Sequence, residues 1–294
     1  MCYIRHCERV IMAIKTILEE NICRYSDHVD EDVAENMGRM FYRGIADHDP
    51  DDDRLLSLLI WELKTAPDSE NTESELKWIY AVNPSFLTPL LEGYHKEALN
   101  ENIRRSFFES TSLEKEKEAA FDENGFSLKE VESRDIRVTV DECMKLSIAR
   151  KQAPSYIQCI ALLDDQEFYQ GLMNILFRYD NPSLEDLAFL PKHWYEQSVS
   201  CFVKTDGKVN GFLLVHACPS GTLVPILFFA VGADARMNLV EMMRFSIRKA
   251  AEIYPGDTVI RIHRRNPEVS ALSGKLFPGK KGESAIAGER SEQE

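Results

Sequence analysis

The sequence predicts a mixed α/β fold in which one unit, built around a mixed sheet, occurs twice in tandem. Two observations carry this prediction. The same order of strands, a long helix, a strand and a second helix begins at Leu55 and again at Ser198. In addition, the strand before each long helix ends in Ala-Val, at Ala81-Val82 and at Ala230-Val231. With 294 residues, the chain is long enough for two domains that each bury a core.

The first unit alternates between strand and helix patterns. Pro84 lies near the start of a segment whose apolar residues recur three and four positions apart, as in an amphipathic helix. Asn124-Gly125 supplies the residue pair that commonly ends a helix. The predicted elements are strands over 55–63 and 73–82, a helix over 83–99, a strand over 103–111, a helix over 112–126 and a strand over 127–133.

The second unit begins with a hairpin over residues 198–216. Asp206-Gly207 lies between two β-rich runs and provides the backbone freedom that a tight turn requires. The elements predicted after this hairpin are a strand over 222–232, a helix over 236–255, a strand over 257–265 and a short helix over 266–278.

Long helical stretches are predicted ahead of the two units, over residues 8–45 and 141–190. The segment around Ser133 leads out of the first unit and into the second. The last 16 residues are polar and rich in glycine, which is typical of a disordered tail. The predicted domains and tail are therefore 1–133, 134–278 and 279–294.

Composition excludes several classes of function. The net charge of −14 disfavours nucleic acid as a partner, because the phosphate backbone would be repelled, and it is compatible with a cationic small molecule such as an amine. No apolar run approaches the roughly 20 residues that span a membrane. The seven cysteines are scattered and form no CxxC pair, so we expect reduced thiols in a cytoplasmic protein and no zinc site.

The element order, the segment DGKVNGFLLV at 206–215, the Ala-Val strand ends and NGF at 124–126 together resemble the GNAT superfamily of N-acetyltransferases. The resemblance implies two parallel strands that splay apart in each unit, and acetyl-CoA as the cofactor. The pantetheine arm would pair with the strand that ends at Ala81-Val82 or Ala230-Val231. The pyrophosphate would lie on the N-terminus of the next helix, near Arg236 and Asn238, because unpaired N–H groups and the helix dipole attract phosphate.

The phosphate-binding motif of this family, Gln/Arg-x-x-Gly-x-Gly/Ala, is incomplete in both units. Arg236 matches its first position, but its glycine positions are occupied by Leu239 and Glu241 in the second unit and by Leu90 and Glu92 in the first. Glycine permits backbone to approach phosphate without a Cβ in the way, and a carboxylate repels it. We therefore expect weak binding of acetyl-CoA.

The residues available for catalysis also depart from the family. Phe121 stands where many members have a tyrosine that protonates the leaving thiolate, and the equivalent position in the second unit is close to Leu272 and Ser273. Glu73 and Glu75 are the candidate general bases. Strand alternation directs both to one face, and mutual repulsion is expected to raise the pKa of at least one of them.

Two functions therefore remain open from the sequence. One is acyl-CoA-dependent N-acetylation of a small amine or amino-acid-like substrate. The other is a noncatalytic tandem GNAT-fold protein that binds a ligand or regulates a partner. The acidic segment Ala46–Asp53 is interpreted as a solvated loop and not as a metal site, because it lacks the glycine and the distal glutamate of a calcium loop.

Overall fold

The computed structural model describes residues 13–64, 72–179, 187, 190–264 and 266–292. The chain divides into two compact units. Unit 1 comprises Met1–Glu130 together with Ile286–Glu294, and unit 2 comprises Val131–Ala285. No helix among the described residues is both long enough and apolar enough to cross a membrane.

Unit 1 begins with β1 (Ala13–Ile17), α1 (Glu31–Ala34) and β2 (Tyr42–His48), two strands and a short helix that the sequence did not predict. The elements predicted over residues 55–133 follow as β3 (Leu55–Leu63), β4 (Thr72–Ala81), α2 (Leu87–Asn100), β5 (Ile103–Ser110), α3 (Lys115–Glu123) and β6 (Ser127–Glu132). Helix α3 ends as expected at Gly125, which has a φ of 82°, and the amide of Phe126 donates to the carbonyl of Phe121.

Helices α2 and α3 cover one face of the sheet of unit 1. Leu87, Leu90 and Tyr94 of α2 pack there against strand residues such as Leu59 and Trp61. Neighbouring strand residues point to the other face, as strand alternation requires, and form a second apolar cluster there.

Unit 2 repeats this plan. Its elements are β7 (Asp135–Thr139), α4 (Val140–Met144), β8 (Ile157–Cys159), α5 (Asp165–Tyr179), β9 (Cys201–Thr205), β10 (Lys208–Ala217), β11 (Leu223–Ala230), α6 (Ala235–Ile253), β12 (Val259–His263) and α7 (Pro267–Leu276). The strand order is β7-β12-β11-β10-β9-β8. The predicted hairpin joins β9 to β10, and both turn residues have positive φ, 53° at Asp206 and 75° at Gly207.

The two faces of this sheet are covered by different helices. Leu213 and Val215 of β10 pack in the same cluster as Met242 of α6. The alternate β10 residues, Phe212 and Leu214, pack in the cluster of α5. Helix α6 therefore packs on one face of the sheet, and helix α5 packs on the opposite face.

The long helical stretch predicted over residues 8–45 is wrong, and the one predicted over 141–190 is only partly right. Within residues 8–45, of which 8–12 lie outside the described residues, the only α-helix is α1, and β1 pairs antiparallel with β2 instead. Within 141–190, the described residues form the strand β8 between two separate helices, α4 and α5. Strand pairing with a neighbour distant in sequence outweighs local helix propensity at these positions.

The acidic segment Ala46–Asp53 is also only in part a solvated loop. Asp47 and His48 are buried in β2, and the exposed turn begins at Asp49. Burial raises the pKa of Asp47. In the described parts of the chain, no three His, Cys, Asp or Glu side chains are grouped so that they would hold a metal ion.

The C-terminal segment forms a strand, so the prediction of disorder over 279–294 is wrong for most of it. Strand β13 (Ser284–Ser291) lies between β5 and β6 and pairs antiparallel with β5, which gives unit 1 the order β1-β2-β3-β4-β5-β13-β6. Gly288 faces Phe108 of β5 so closely that a Cβ would lie 2.2 Å from the ring. This glycine reflects close packing of the strand and not a flexible tail.

Gly288→Ala is therefore expected to lower the stability of unit 1 by about 1–3 kcal/mol, because the added methyl group overpacks the contact with Phe108. Gly274→Ala in α7 is the matched control, because a Cβ there meets no atom within 4 Å. Amide hydrogen exchange measures the effect in each unit separately. Faster exchange across β5 in Gly288→Ala is the expected result, and unchanged exchange would contradict the packing described.

Candidate functional site

Each unit contains a pair of parallel strands that separate along their length, and we call the gap between them the wedge. In unit 1, β4 and β5 pair from Thr72 opposite Ile103 as far as Glu75 opposite Phe107. In unit 2, β11 and β12 pair only where Leu223 lies opposite Ile260. The wedge of unit 2 is therefore deeper, and it leaves the edge of β11 available to hydrogen-bond an extended ligand.

A β-bulge lies beside each wedge. The register between β3 and β4 shifts at Ile60/Trp61, which leaves Lys77 as the extra residue. The register between β10 and β11 shifts at Leu214/Val215, which leaves Ile226 as the extra residue. Bulges redirect side chains next to functional sites, and here the corresponding positions carry a charge in unit 1 and an apolar group in unit 2.

The bulge residue of unit 1 belongs to a cluster of four paired charges. Lys77 Nζ lies 2.7 Å from a carboxylate oxygen of Glu75 and 3.1 Å from one of Glu62. Lys64 Nζ lies 2.8 Å from Glu75 and also pairs with Glu62. Each of the four side chains is less than a quarter exposed. Each charge of the cluster is therefore paired with opposite charges within the cluster.

The pKa of Glu75 moves in the opposite direction to the sequence prediction. Burial alone would raise it, but the ammonium groups of Lys77 and Lys64 outweigh burial and hold the pKa well below its usual range. The same balance lowers the pKa of Glu62 to about 2. The expectation of a carboxyl group suited to proton abstraction near neutral pH is therefore wrong for Glu75. Glu73 is partly exposed and pairs with Arg105 at 3.0 Å.

Two further features close the wedge of unit 1. Tyr94 of α2 reaches the hydroxyl groups of Ser74 on β4 and Ser106 on β5, with its Oη 2.5 Å from Ser106 Oγ, so it joins the helix to both strands. Beyond the last paired residue of β5, Phe108 packs against Phe121 with their ring centroids 4.4 Å apart. Phe121 is only 2% exposed, so no open cleft adjoins the position expected for the catalytic tyrosine.

The N-terminus of α2 is poorly suited to phosphate. The Asn83 side chain accepts a hydrogen bond from the amide of Ser85 at 3.0 Å and so caps the turn that precedes α2. Pro84 has no N–H to donate. Leu87 and Leu90, which occupy motif positions, are fully buried in the core. Ala81 and Val82 do end β4 as predicted, and the Val82 amide donates to the Leu56 carbonyl.

The N-terminus of α6 differs in each of these respects. Its N-cap residue, Asp234, makes no side-chain capping bond, and Arg236 is exposed in the first turn. The Ala235 amide donates to the Gly232 carbonyl, so the first-turn amides that have no partner within the helix and could meet an anion are those of Arg236 and Met237. Asn238 is buried, and its amide already donates to the Asp234 carbonyl. Ala230 ends β11, and the amide of the next residue, Val231, donates to Asn210.

The glycine positions of the family motif are helical in unit 2. Leu239 and Glu241 lie within α6, beyond its first turn, and not in a loop ahead of it. Glu241 forms an ion pair with Arg244, and both side chains are less than one fifth exposed. Because this pairing neutralises the carboxylate, Glu241 opposes an anion at the helix N-terminus less than the sequence suggests.

An apolar cavity of about 100 Å³ lies where β11 and β12 separate. Leu223 and Pro225 line it from β11, Ile260 and Ile262 line it from β12, and α6 covers it. Ser273, the candidate substitute for the missing tyrosine, is buried in α7 with its hydroxyl donating to the Ser270 carbonyl at 3.1 Å.

His216 of β10 lies near the position where β11 and β12 separate, on the face of the sheet opposite the cavity. Sequence analysis did not identify it. It is opposite Val224, one residue pair from the contact between Leu223 and Ala217. Its ring stacks on Trp194, with centroids 3.7 Å apart and planes inclined by 6°. Nδ1 lies 2.7 Å from the Trp194 carbonyl oxygen, which can only accept, so Nδ1 is the donor in this contact.

Glu75→Gln is expected to destabilise unit 1 by about 3 kcal/mol at pH 7, because it leaves two buried ammonium groups to share one carboxylate, that of Glu62. Glu73→Gln, which breaks a partly exposed pair, is expected to cost less than about 1 kcal/mol. Since the pKa of Glu75 is lowered by folding, its contribution is present above the unfolded-state pKa and is lost as the pH falls. Urea denaturation at pH 7 and pH 3 measures both effects, and equal losses for the two variants at pH 7 would contradict this account.

Comparison with known proteins places these features in context. No protein-family model matches the sequence, and no curated protein matches it. Solved structures do match. A tandem GNAT protein from the clavulanic acid biosynthesis pathway has 8% identity and a TM-score of 0.62, covering 96% of this chain and 99% of its own.

Two other solved structures share the fold. N-myristoyltransferase of Saccharomyces cerevisiae, solved with bound myristoyl-CoA and inhibitors, has 11% identity and a TM-score of 0.57, covering 95% of this chain and 79% of its own. A GCN5-related N-acetyltransferase from Kribbella flavida has 12% identity and a TM-score of 0.51, covering 80% and 87%. The predicted fold class is confirmed: the chain has the fold of the GNAT superfamily, with two such units in tandem.

Proposed function

We propose that the protein is an acyl-CoA-dependent N-acyltransferase that acts on a small amine or amino-acid-like substrate, with the acyl-CoA bound in unit 2. The observation that carries the proposal is the deep wedge between β11 and β12, which leaves the edge of β11 without a strand partner beyond Leu223. Pantetheine is an extended chain with two amide groups, so it is chemically suited to pair with such an edge.

The contrast between the two units supports this assignment. In unit 1 the helix that follows β4 is preceded by a capped turn, and side chains of Tyr94, Phe108 and Phe121 fill the space beside the wedge. In unit 2 the helix N-terminus has no side-chain cap, Arg236 is exposed beside it, and the wedge leads to an apolar cavity. The proposal therefore places acyl-CoA binding in unit 2 and not in unit 1.

The reaction requires a base that accepts a proton from the amine. The amine nitrogen attacks the thioester carbonyl carbon, the carbon–sulfur bond breaks, and the amine proton is transferred to the base while the thiolate leaves. We assign this role to His216, directly or through one water molecule, because it lies opposite Val224, next to the position where β11 and β12 separate. Glu73 is the alternative base, in unit 1, and the Glu73→Gln variant below tests it, whereas the lowered pKa of Glu75 makes that carboxylate a weak base.

Arg236→Glu is expected to weaken binding of acetyl-CoA at least tenfold, because it replaces a cation near the phosphate with an anion. Lys249→Glu makes the same charge change near the other end of α6 and is the matched control, for which affinity should be unchanged. Isothermal titration calorimetry measures both. Equal affinities for the two variants would contradict phosphate binding at this helix.

His216→Gln is expected to lower the rate of acyl transfer roughly 100-fold or more, because glutamine can still donate to the Trp194 carbonyl but does not accept the proton. The assay follows turnover of acetyl-CoA with a panel of polyamines and amino acids. His193→Gln, at an exposed position next to Trp194, is the control and should leave the rate unchanged.

The remaining outcomes separate the alternatives. An unchanged rate in His216→Gln together with loss of activity in Glu73→Gln would assign catalysis to unit 1 instead. Binding of acetyl-CoA without turnover of any acceptor would support the noncatalytic, ligand-binding function instead. Absence of both binding and turnover would refute the proposed function.

A further inference from the structure

The cavity of unit 2 lies at the closed end of the wedge. Pro225 and Ile262 line it beyond the single paired position of β11 and β12, and Phe277 lines it from the residue after α7. Its lining side chains are apolar, and Ser246 supplies the one hydroxyl group among them. Because an apolar cavity of this size gives water too few polar partners, its favoured occupant is an apolar group.

The distance from the start of α6 to the cavity suits the arm of coenzyme A. Met243 and Ala250 both line the cavity. They follow Ala235 by 8 and 15 residues (243 − 235 and 250 − 235), which places them roughly 12 and 22 Å along the helix. The arm between phosphate and sulfur has about a dozen bonds, like four residues of extended polypeptide, or roughly 14 Å. A thioester on this arm therefore reaches the near wall of the cavity, and its acyl chain continues inward.

Resting on the proposed function, we infer that unit 2 selects an acyl group of about four carbons, such as butyryl, over acetyl. The cavity volume is about 100 Å³. An apolar protein cavity of about 150 Å³ accepts benzene, which has six carbons, so about 100 Å³ corresponds to about four. An acetyl group leaves much of this volume empty, and a myristoyl chain exceeds it.

The size of the preference follows from the apolar surface that is buried. Each methylene group transferred from water contributes about 0.8 kcal/mol, which is about fourfold in affinity. Butyryl has two more methylene groups than acetyl, so its ester gains about 15-fold. Carbon atoms of a longer acyl chain that do not fit in the cavity add no further affinity, because they must displace closely packed side chains.

The test is calorimetric titration of the full chain with coenzyme A and with its acetyl, butyryl, hexanoyl and myristoyl esters. We expect butyryl-CoA to bind about 15-fold more tightly than acetyl-CoA and at least as tightly as myristoyl-CoA. Ala250→Leu fills the cavity and should abolish the difference between butyryl and acetyl. Met243→Ala enlarges the cavity and should move the preference to hexanoyl-CoA.

Ala251→Leu is the matched control, because it adds the same side chain at the neighbouring, exposed position of α6. It should retain the preference for butyryl. Equal affinities of the wild type for acetyl-CoA and butyryl-CoA would overturn this inference and leave the proposed function intact. Failure of coenzyme A and all its esters to bind would refute the proposed function, and this inference with it. If Ala250→Leu does not fold, Met243→Ala provides the test. A change of its preference from butyryl-CoA to hexanoyl-CoA supports the inference, and an unchanged preference contradicts it.

Discussion

Beyond Leu223 and Ile260, the two central strands of unit 2 no longer hydrogen-bond to each other, and the proposed site depends on this separation. The strands stay in place because each is held from its outer side. Strand β11 pairs with β10 from Gly211 opposite Ala230 onward, and β12 pairs with β7 along its whole length. A gap in the middle of a sheet is tolerated when both of its borders are fixed in this way and its backbone groups can meet a ligand.

The same principle explains the role of β13 in unit 1. Strand β4 is held by β3, and β5 is held by β13, whose residues come from the end of the chain. Without β13, the outer side of β5 would be an unpaired edge, and Phe108 would lose its contact with the backbone at Gly288. The C-terminal strand is therefore part of the framework that sets the geometry of the first wedge, although it follows the whole of unit 2 in sequence.

Both units have a pair of parallel strands that separate, and they differ in what occupies the region of the wedge. In unit 1, paired charges at Glu62, Lys64, Glu75 and Lys77 lie beside hydroxyl and aromatic groups that bond to or pack on one another. Buried ion pairs offer little net stability, because desolvation opposes their attraction, but they define one arrangement of the side chains. In unit 2 the corresponding bulge is apolar at Ile226, and the space at the wedge is a cavity. Fold alone does not determine activity, and the proposed site of unit 2 depends on these local features.

The sequence by itself determined the elements of residues 55–132 and 201–276, because helix and strand periodicity and turn residues such as Gly125 and Gly207 act over a few neighbours. It also indicated the ends of β4 and β11 at Ala81 and Ala230 and the place of Arg236 at the start of α6. Strands β1 and β13, the lowered pKa of Glu75, the place of His216 beside Trp194 and the cavity at the wedge were decided only by the tertiary structure. Each of these depends on groups brought together from distant parts of the chain or across strands, and pairing, desolvation and packing at that range leave no periodic pattern in the sequence.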